Sequence, residues 1–179
     1  MTMLRTLIFL VLVLLLSACD GNSDYLEAVI AGDKEKVEHY LDQGVDIDQR
    51  NNYGWNALMH AARNGHLELV RYLLDRGIDV NATDKDHWTA LTRAAEKGYA
   101  DIVRVLLEHG ADTEIKTLQG WTPLLWAVQQ DHPQVVKLLI EHGADVQARA
   151  NDGRTPMMIA ITENHNEVFQ LLQQAGAQP

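Results

Sequence analysis

The side chains with which this 179-residue chain could do covalent or metal chemistry are few: one cysteine, two serines and eight histidines. Ser17, Ser23 and Cys19 all lie before residue 24, so the long remainder of the chain offers no serine or thiol nucleophile. Cys19 also has no second cysteine with which to form an intrachain disulfide. The metalloprotease, phosphate-loop and dinucleotide patterns H-E-x-x-H, G-x-x-x-x-G-K-[ST] and G-x-G-x-x-G are absent. His109 and His142 are separated by 33 residues, as are His132 and His165. Helices packed about 8–10 Å apart could bring each pair together, but a structural zinc takes four ligands. These histidines are therefore expected to be exposed or capping. Asp84 and Asp86 would need more oxygen ligands than can be assigned to hold Ca²⁺, and they read as solvated turn residues. No catalytic residue, metal or cofactor is expected.

Composition agrees with a folded chain. A hydrophobic content of 46% suits a globular core, and a net charge of −10 repels a phosphate backbone, which makes nucleic acid an unfavourable partner. The start of the chain differs from the rest. Arg5 precedes the unbroken apolar run Leu7 to Leu16, followed by Ser17-Ala18-Cys19, the layout of a secretory signal peptide. The run is too short to span a bilayer, which takes roughly 20 residues. Leu16-Ser17-Ala18-Cys19 resembles a bacterial lipobox. The resemblance implies diacylglycerol on the Cys19 thiol, cleavage before Cys19 and acylation of the new amine. Several acyl chains give stable anchoring at about 0.8 kcal/mol per buried CH₂. Asp20 resembles the residue that retains enteric lipoproteins in the inner membrane. The expectation is a signal peptide over 1–18, a lipidated tether over 19–23, and a domain held at the periplasmic face of a bacterial cell envelope. Its membrane contact would be through the lipid anchor only. A plain secretory signal with an incidental cysteine, or an uncleaved anchor, is the alternative.

Elements able to position a site follow from an internal period of 33. Trp55, Trp88 and Trp121 share one register; Gly44, Gly77, Gly110, Gly143 and Gly176 share a second. Ala28, Ala61, Ala94, Ala127 and Ala160 share a third, and Val37, Val70, Val103 and Val136 a fourth. Asn56, Thr89, Thr122 and Thr155 are placed to cap a helix, and Pro123 and Pro156 suit its first turn. The small alanine lets two helices approach. A second helix carries an apolar stripe, as in Ile102, Val103, Val105, Leu106 and Leu107, and ends on a glycine. Asp152-Gly153 and its equivalents mark turns between units. One such unit cannot bury its apolar face alone, so units must stack, and the end units carry more polar residues.

Trp121-Thr122-Pro123-Leu124-Leu125-Trp126-Ala127, continued to Glu141-His142-Gly143-Ala144-Asp145, resembles the ankyrin repeat. Asn56-Ala57 and Thr89-Ala90 depart from Thr-Pro, and Asp131 and Asn164 replace the glycine between helices. The resemblance implies an all-α repeat solenoid of paired antiparallel helices with β-hairpin fingers. About five repeats are expected, at 24–53, 54–86, 87–119, 120–152 and 153–179. It also implies that another protein binds the concave face. The finger positions are Tyr53, Trp55, Lys85, Asp86, Trp88, Leu118, Gln119, Trp121 and Arg154. The variable helix position is His60, Arg93, Trp126 and Ile159; Arg63, Glu96, Lys97, Gln129 and Gln130 follow at the helix end. Arg93 and His60 suggest that this helix register is open, which favours Trp126 as a contact residue. Trp55, Trp88 and Trp121 read equally as interface or as packing. Secreted, lipid-anchored ankyrin proteins resemble immunity proteins that neutralise lipase effectors of type VI secretion. A periplasmic scaffold, or an accessory factor in oxidative defence, is the alternative.

Overall fold

The computed structural model describes residues 24–178; the expected signal peptide and tether, with Cys19 and Asp20, lie outside the described residues. Residues 24–31 are helical (α1). Nine further helices follow: α2 Lys34–Asp42, α3 Ala57–Asn64, α4 Leu67–Asp75, α5 Ala90–Lys97, α6 Ala100–Glu108, α7 Pro123–Gln129, α8 Pro133–Glu141, α9 Pro156–Thr162 and α10 Asn166–Gln174. None is long and apolar enough to cross a membrane. At seven to nine residues, α2 to α10 are shorter than isolated helices that persist in water. Their ends are therefore held locally and their faces by packing.

Caps fall where the sequence places them. Asn56, Thr89, Thr122 and Thr155 each accept a hydrogen bond from the backbone N–H three residues on, at 3.0, 3.1, 3.3 and 3.2 Å. Each such cap contributes about 1 kcal/mol. Gly77, Gly110 and Gly143 follow the second helices at φ of +84°, +82° and +85°, the left-handed conformation that ends a helix without a Cβ penalty.

First helices α3, α5, α7 and α9 pack side by side in one layer; α4, α6, α8 and α10 form the second. Ala61, Ala94, Ala127 and Ala160 are buried between layers, where any larger side chain would push the helices apart. Ile102, Val103, Val105, Leu106 and Leu107 are buried as the stripe requires. The polar ends hold too: Lys34, Glu35 and Lys36 in α2, and Gln170, Gln173 and Gln174 in α10, are exposed.

Histidines tie neighbouring units together rather than meeting as ligands. His66 Nε2–H donates to the Ile30 carbonyl at 2.9 Å, and His132 Nε2–H to that of Glu96 at 3.1 Å. Gly98 leaves room for this, since a Cβ there would lie 2.6 Å from the His132 ring. At the equivalent Asp131 the arrangement changes: the carboxylate lies 3.6 Å from His165 Nδ1. His109 and His142 donate to carbonyls of their own helices at 2.8 and 2.9 Å, capping α6 and α8. Among the described residues no group of three His, Cys, Asp or Glu could hold a metal ion.

The fingers differ from the expected β-hairpins. Each is a turn closed by two backbone bonds, such as Asp84 N–H to Trp88 O at 3.0 Å with His87 N–H to Asp84 O at 3.1 Å. Adjacent tips are joined by one backbone bond each, Lys85 N–H to Tyr53 O, Leu118 N–H to Asp86 O and Asn151 N–H to Gln119 O. No strand forms among the described residues, because one bond per tip is too few to build a ladder.

Candidate interaction site on the finger side

The fingers and the first helices present a continuous ladder of rings and guanidinium groups. It begins with Arg63, at the end of α3, packed over the Trp55 ring at 5.3 Å. Arg93 of α5 is sandwiched between Trp55 at 4.0 Å and Trp88 at 4.1 Å. Trp126 of α7 occupies the same place one unit later, 4.7 Å from both Trp88 and Trp121. Arg154 closes the series 4.7 Å over Trp121. Arg93 and Trp126 thus each lie between their own finger and the preceding one, and each cation–π contact contributes about 0.5–2 kcal/mol.

Beneath the ladder a polar pair recurs at a spacing of nine. Asn51 Nδ2 lies 3.2 Å from His60 Nε2, and Asp84 Oδ2 lies 2.7 Å from Arg93 Nη2. The other carboxylate oxygen of Asp84 accepts from the N–H groups of Asp86 at 2.9 Å and Trp88 at 2.8 Å. This overturns the reading of Asp84 as a solvated turn residue: it is 5% exposed and anchors its finger to α5. It also overturns the reading of the helix register as open. His60 and Ile159 are 8% and 2% exposed and Arg93 and Trp126 are half-buried, with finger tryptophans packed against His60, Arg93 and Trp126. Burial, with Arg63 and then Arg93 adding positive charge, pushes the His60 imidazole down to about 4. Burial lowers Arg93 as well, against the opposing hydrogen bond and charge of Asp84.

The remaining residues singled out in the sequence divide by exposure. Trp121 is buried, 6% exposed, and serves packing. Trp55 and Trp88 are half-buried. Tyr53 at 73% and Leu118 at 53% project from the tips. Lys85 Nζ donates to the Asn52 carbonyl at 2.7 Å, and Asp86 is exposed beside it. Glu96 and Lys97 pair with each other at 3.4 Å. Gln129 accepts from Arg154 at 3.4 Å, while Arg154 pairs with Asp152 at 2.7 Å. Between the first two fingers, residues 51–55 and 84–88, an open recess of about 740 Å³ is walled by Tyr53, Trp55 and Trp88, with Asn51, His60, Arg63, Lys85, Asp86 and Arg93 completing the lining.

A family model described as "Ankyrin repeats (3 copies)" matches residues 25–117 and 110–179. The chain belongs to the ankyrin-repeat family. A search of curated proteins returns no significant match. Ankyrin repeats typically serve as non-catalytic modules for protein–protein interaction, which assigns this chain its general function. Within the ankyrin frame, two site residues carried signals that a repeat alignment exposes. Asp84 and Asn51 hold one position, and His87 stands where Gly54, Gly120 and Gly153 stand in the other fingers. His87 adopts a φ of +63° at that turn.

Proposed function

We propose that this ankyrin chain is a lipid-tethered, non-catalytic binder that grips another protein through its finger-side face, and that it serves as an immunity protein against a lipase-type effector. The ring-and-guanidinium ladder carries the binding reading. Tryptophan, tyrosine and arginine are the residue types enriched at interface hot spots. Here the rings are held in place before any partner arrives, so little side-chain freedom is lost on binding. The lipobox-like Leu16-Ser17-Ala18-Cys19 and Asp20 support an anchor at the periplasmic side of the inner membrane. A phospholipid-cleaving effector must act at that surface, and tethering concentrates its inhibitor there.

The test is capture by the full-length lipoprotein, in detergent, from envelope and secreted fractions of its host cells, comparing wild type with Trp88→Ala/Trp126→Ala. One effector-like protein, lost in the double variant, is the expected result. Several housekeeping or catalase-type partners would move the protein to the scaffold or oxidative-stress role. A single partner indifferent to both substitutions would move binding to another surface. Radiolabelled palmitate should enter the wild type and not Cys19→Ser; an unlabelled wild type would remove the anchor.

A further inference from the structure

The recess between the first two fingers has uncommitted positive charge. Arg93 on its floor is already paired with Asp84. Arg63 is exposed and packs over the Trp55 ring, and Lys85 is exposed and donates to a backbone carbonyl. No carboxylate lies within ion-pair distance of either among the described residues. Asp86 is the single carboxylate among the lining residues, against three cations. The next groove along, around Trp126 and Leu118, presents apolar surface instead. In a chain of net charge −10, a cationic recess with aromatic walls is a local reversal of sign, and complementary charge selects and steers a partner.

We infer that this recess takes an acidic segment of the partner protein, carboxylates of which pair with Arg63 and Lys85 while a neighbouring apolar side chain lies on the Trp55 and Tyr53 rings. The inference rests on the finger-side face being the protein-binding face. Arginine suits such a site because its planar guanidinium can hold a carboxylate bidentately while its stem covers an indole. Lys85 supplies a point charge at the finger tip. Asp84 and Arg93 act as positioning residues, fixing the wall formed by Trp88.

The full chain can be titrated with two octapeptides, alternating Glu and Leu or alternating Gln and Leu, following the fluorescence of Trp55 and Trp88. The Glu peptide is expected to bind at least tenfold tighter at low salt, with the margin shrinking as salt rises. Arg63→Glu/Lys85→Glu should erase the margin. Both side chains are exposed, so the variant should keep its circular dichroism, its urea midpoint falling only by what the lost Arg63–Trp55 contact contributes. Arg104→Glu, an exposed charge reversal on α6, should leave the margin intact. Equal binding of the two peptides overturns the inference, as does a margin that survives charge reversal. Displacement of the Glu peptide by an equal concentration of inorganic phosphate overturns the commitment to a protein segment. In the capture experiment, a partner lost with Trp88→Ala/Trp126→Ala but kept with Arg63→Glu/Lys85→Glu overturns this inference alone. A partner indifferent to both pairs overturns the finger-side reading itself.

Discussion

The two halves of the finger-side face use one geometry and opposite chemistry. In the first half the positions nine apart are Asn51 with His60 and Asp84 with Arg93, polar groups bonded to each other under a roof of indole. In the second half the same positions hold Thr117 with Trp126 and Ala150 with Ile159. There the helix residue fills the space with apolar volume: Ile159 is 2% exposed, and Trp126 lies between two other indoles. The backbone frame therefore tolerates either solution, provided finger and helix residues are chosen together. A buried guanidinium needs its carboxylate; a buried isoleucine needs none. Each half pays in a different way, since buried ion pairs are often no better than well-packed apolar groups for stability alone. The polar half keeps charge at the surface that a partner meets.

Breaking the polar pair should have the largest effect. Asp84→Ala leaves Arg93 half-buried and unpaired and should cost about 3 kcal/mol in urea unfolding. Asp84→Ala/Arg93→Ile, which copies the Ala150–Ile159 solution, should return to within about 1 kcal/mol of wild type. A double variant no more stable than the single one would end the idea that the halves are interchangeable solutions. Acid should expose the same asymmetry. The unfolded His60 imidazole titrates near 6.5 and the folded one at about 4. Between those values the unfolded chain binds more protons, so this stability is fully present above pH 6.5, falls as pH drops through the window, and is flat below 4. The loss is at most about 3 kcal/mol. The difference in urea midpoint between wild type and His60→Gln should slope across that window; a constant difference would refute the assignment. Amide exchange in α3 should rise before that in α9.

Smaller effects sharpen the contrast. Trp126 carries a buried Nε1–H with no acceptor, and so does Arg93 at Nε, although Arg93 Nη2 is bonded to Asp84. Trp126→Phe removes that donor with part of the ring and should change stability by less than about 1 kcal/mol, because the two terms oppose. A loss like that of Trp126→Ala would show that the N–H contributes where no acceptor is seen. The finger tips differ least. His87 holds a left-handed backbone where Gly120 holds it in the next finger, so His87→Gly should stabilise the chain by about 0.5–1 kcal/mol in the same urea assay. No gain would mean that the His87 side chain offsets the strain of its backbone.

Much of the fold was legible because its signals are local and repeated. Asn56, Thr89, Thr122 and Thr155 cap through contacts three residues away, and the alanine and glycine registers report close approach and a left-handed backbone at their own positions. The site was harder. Arg93 and His60 are side chains that usually face water, so their register read as open; the lid over them comes from Trp55 and Trp88, one of them in the preceding unit. Asp84 read as a solvated turn residue because its partner lies nine residues on, a spacing that belongs to neither helix nor strand. The expected strands failed for an opposite reason. The resemblance and turn residues such as Asp152-Gly153 imply a hairpin, but each tip makes a single backbone bond to its neighbour.

The spacing of nine also bears on how such a chain can change length. Asp84 lies before the 86/87 boundary at which the repeats are most naturally counted, and Arg93 lies after it. A duplication or deletion cut at that boundary would separate the guanidinium from its counter-charge and place Arg93 behind whatever finger came before it. Cut ahead of the finger, between residues 79 and 84, the same 33 residues would carry acid, base and indole together. The heritable module of this protein is finger-first, and recombination that respects it can add or remove a rung without leaving a charge stranded.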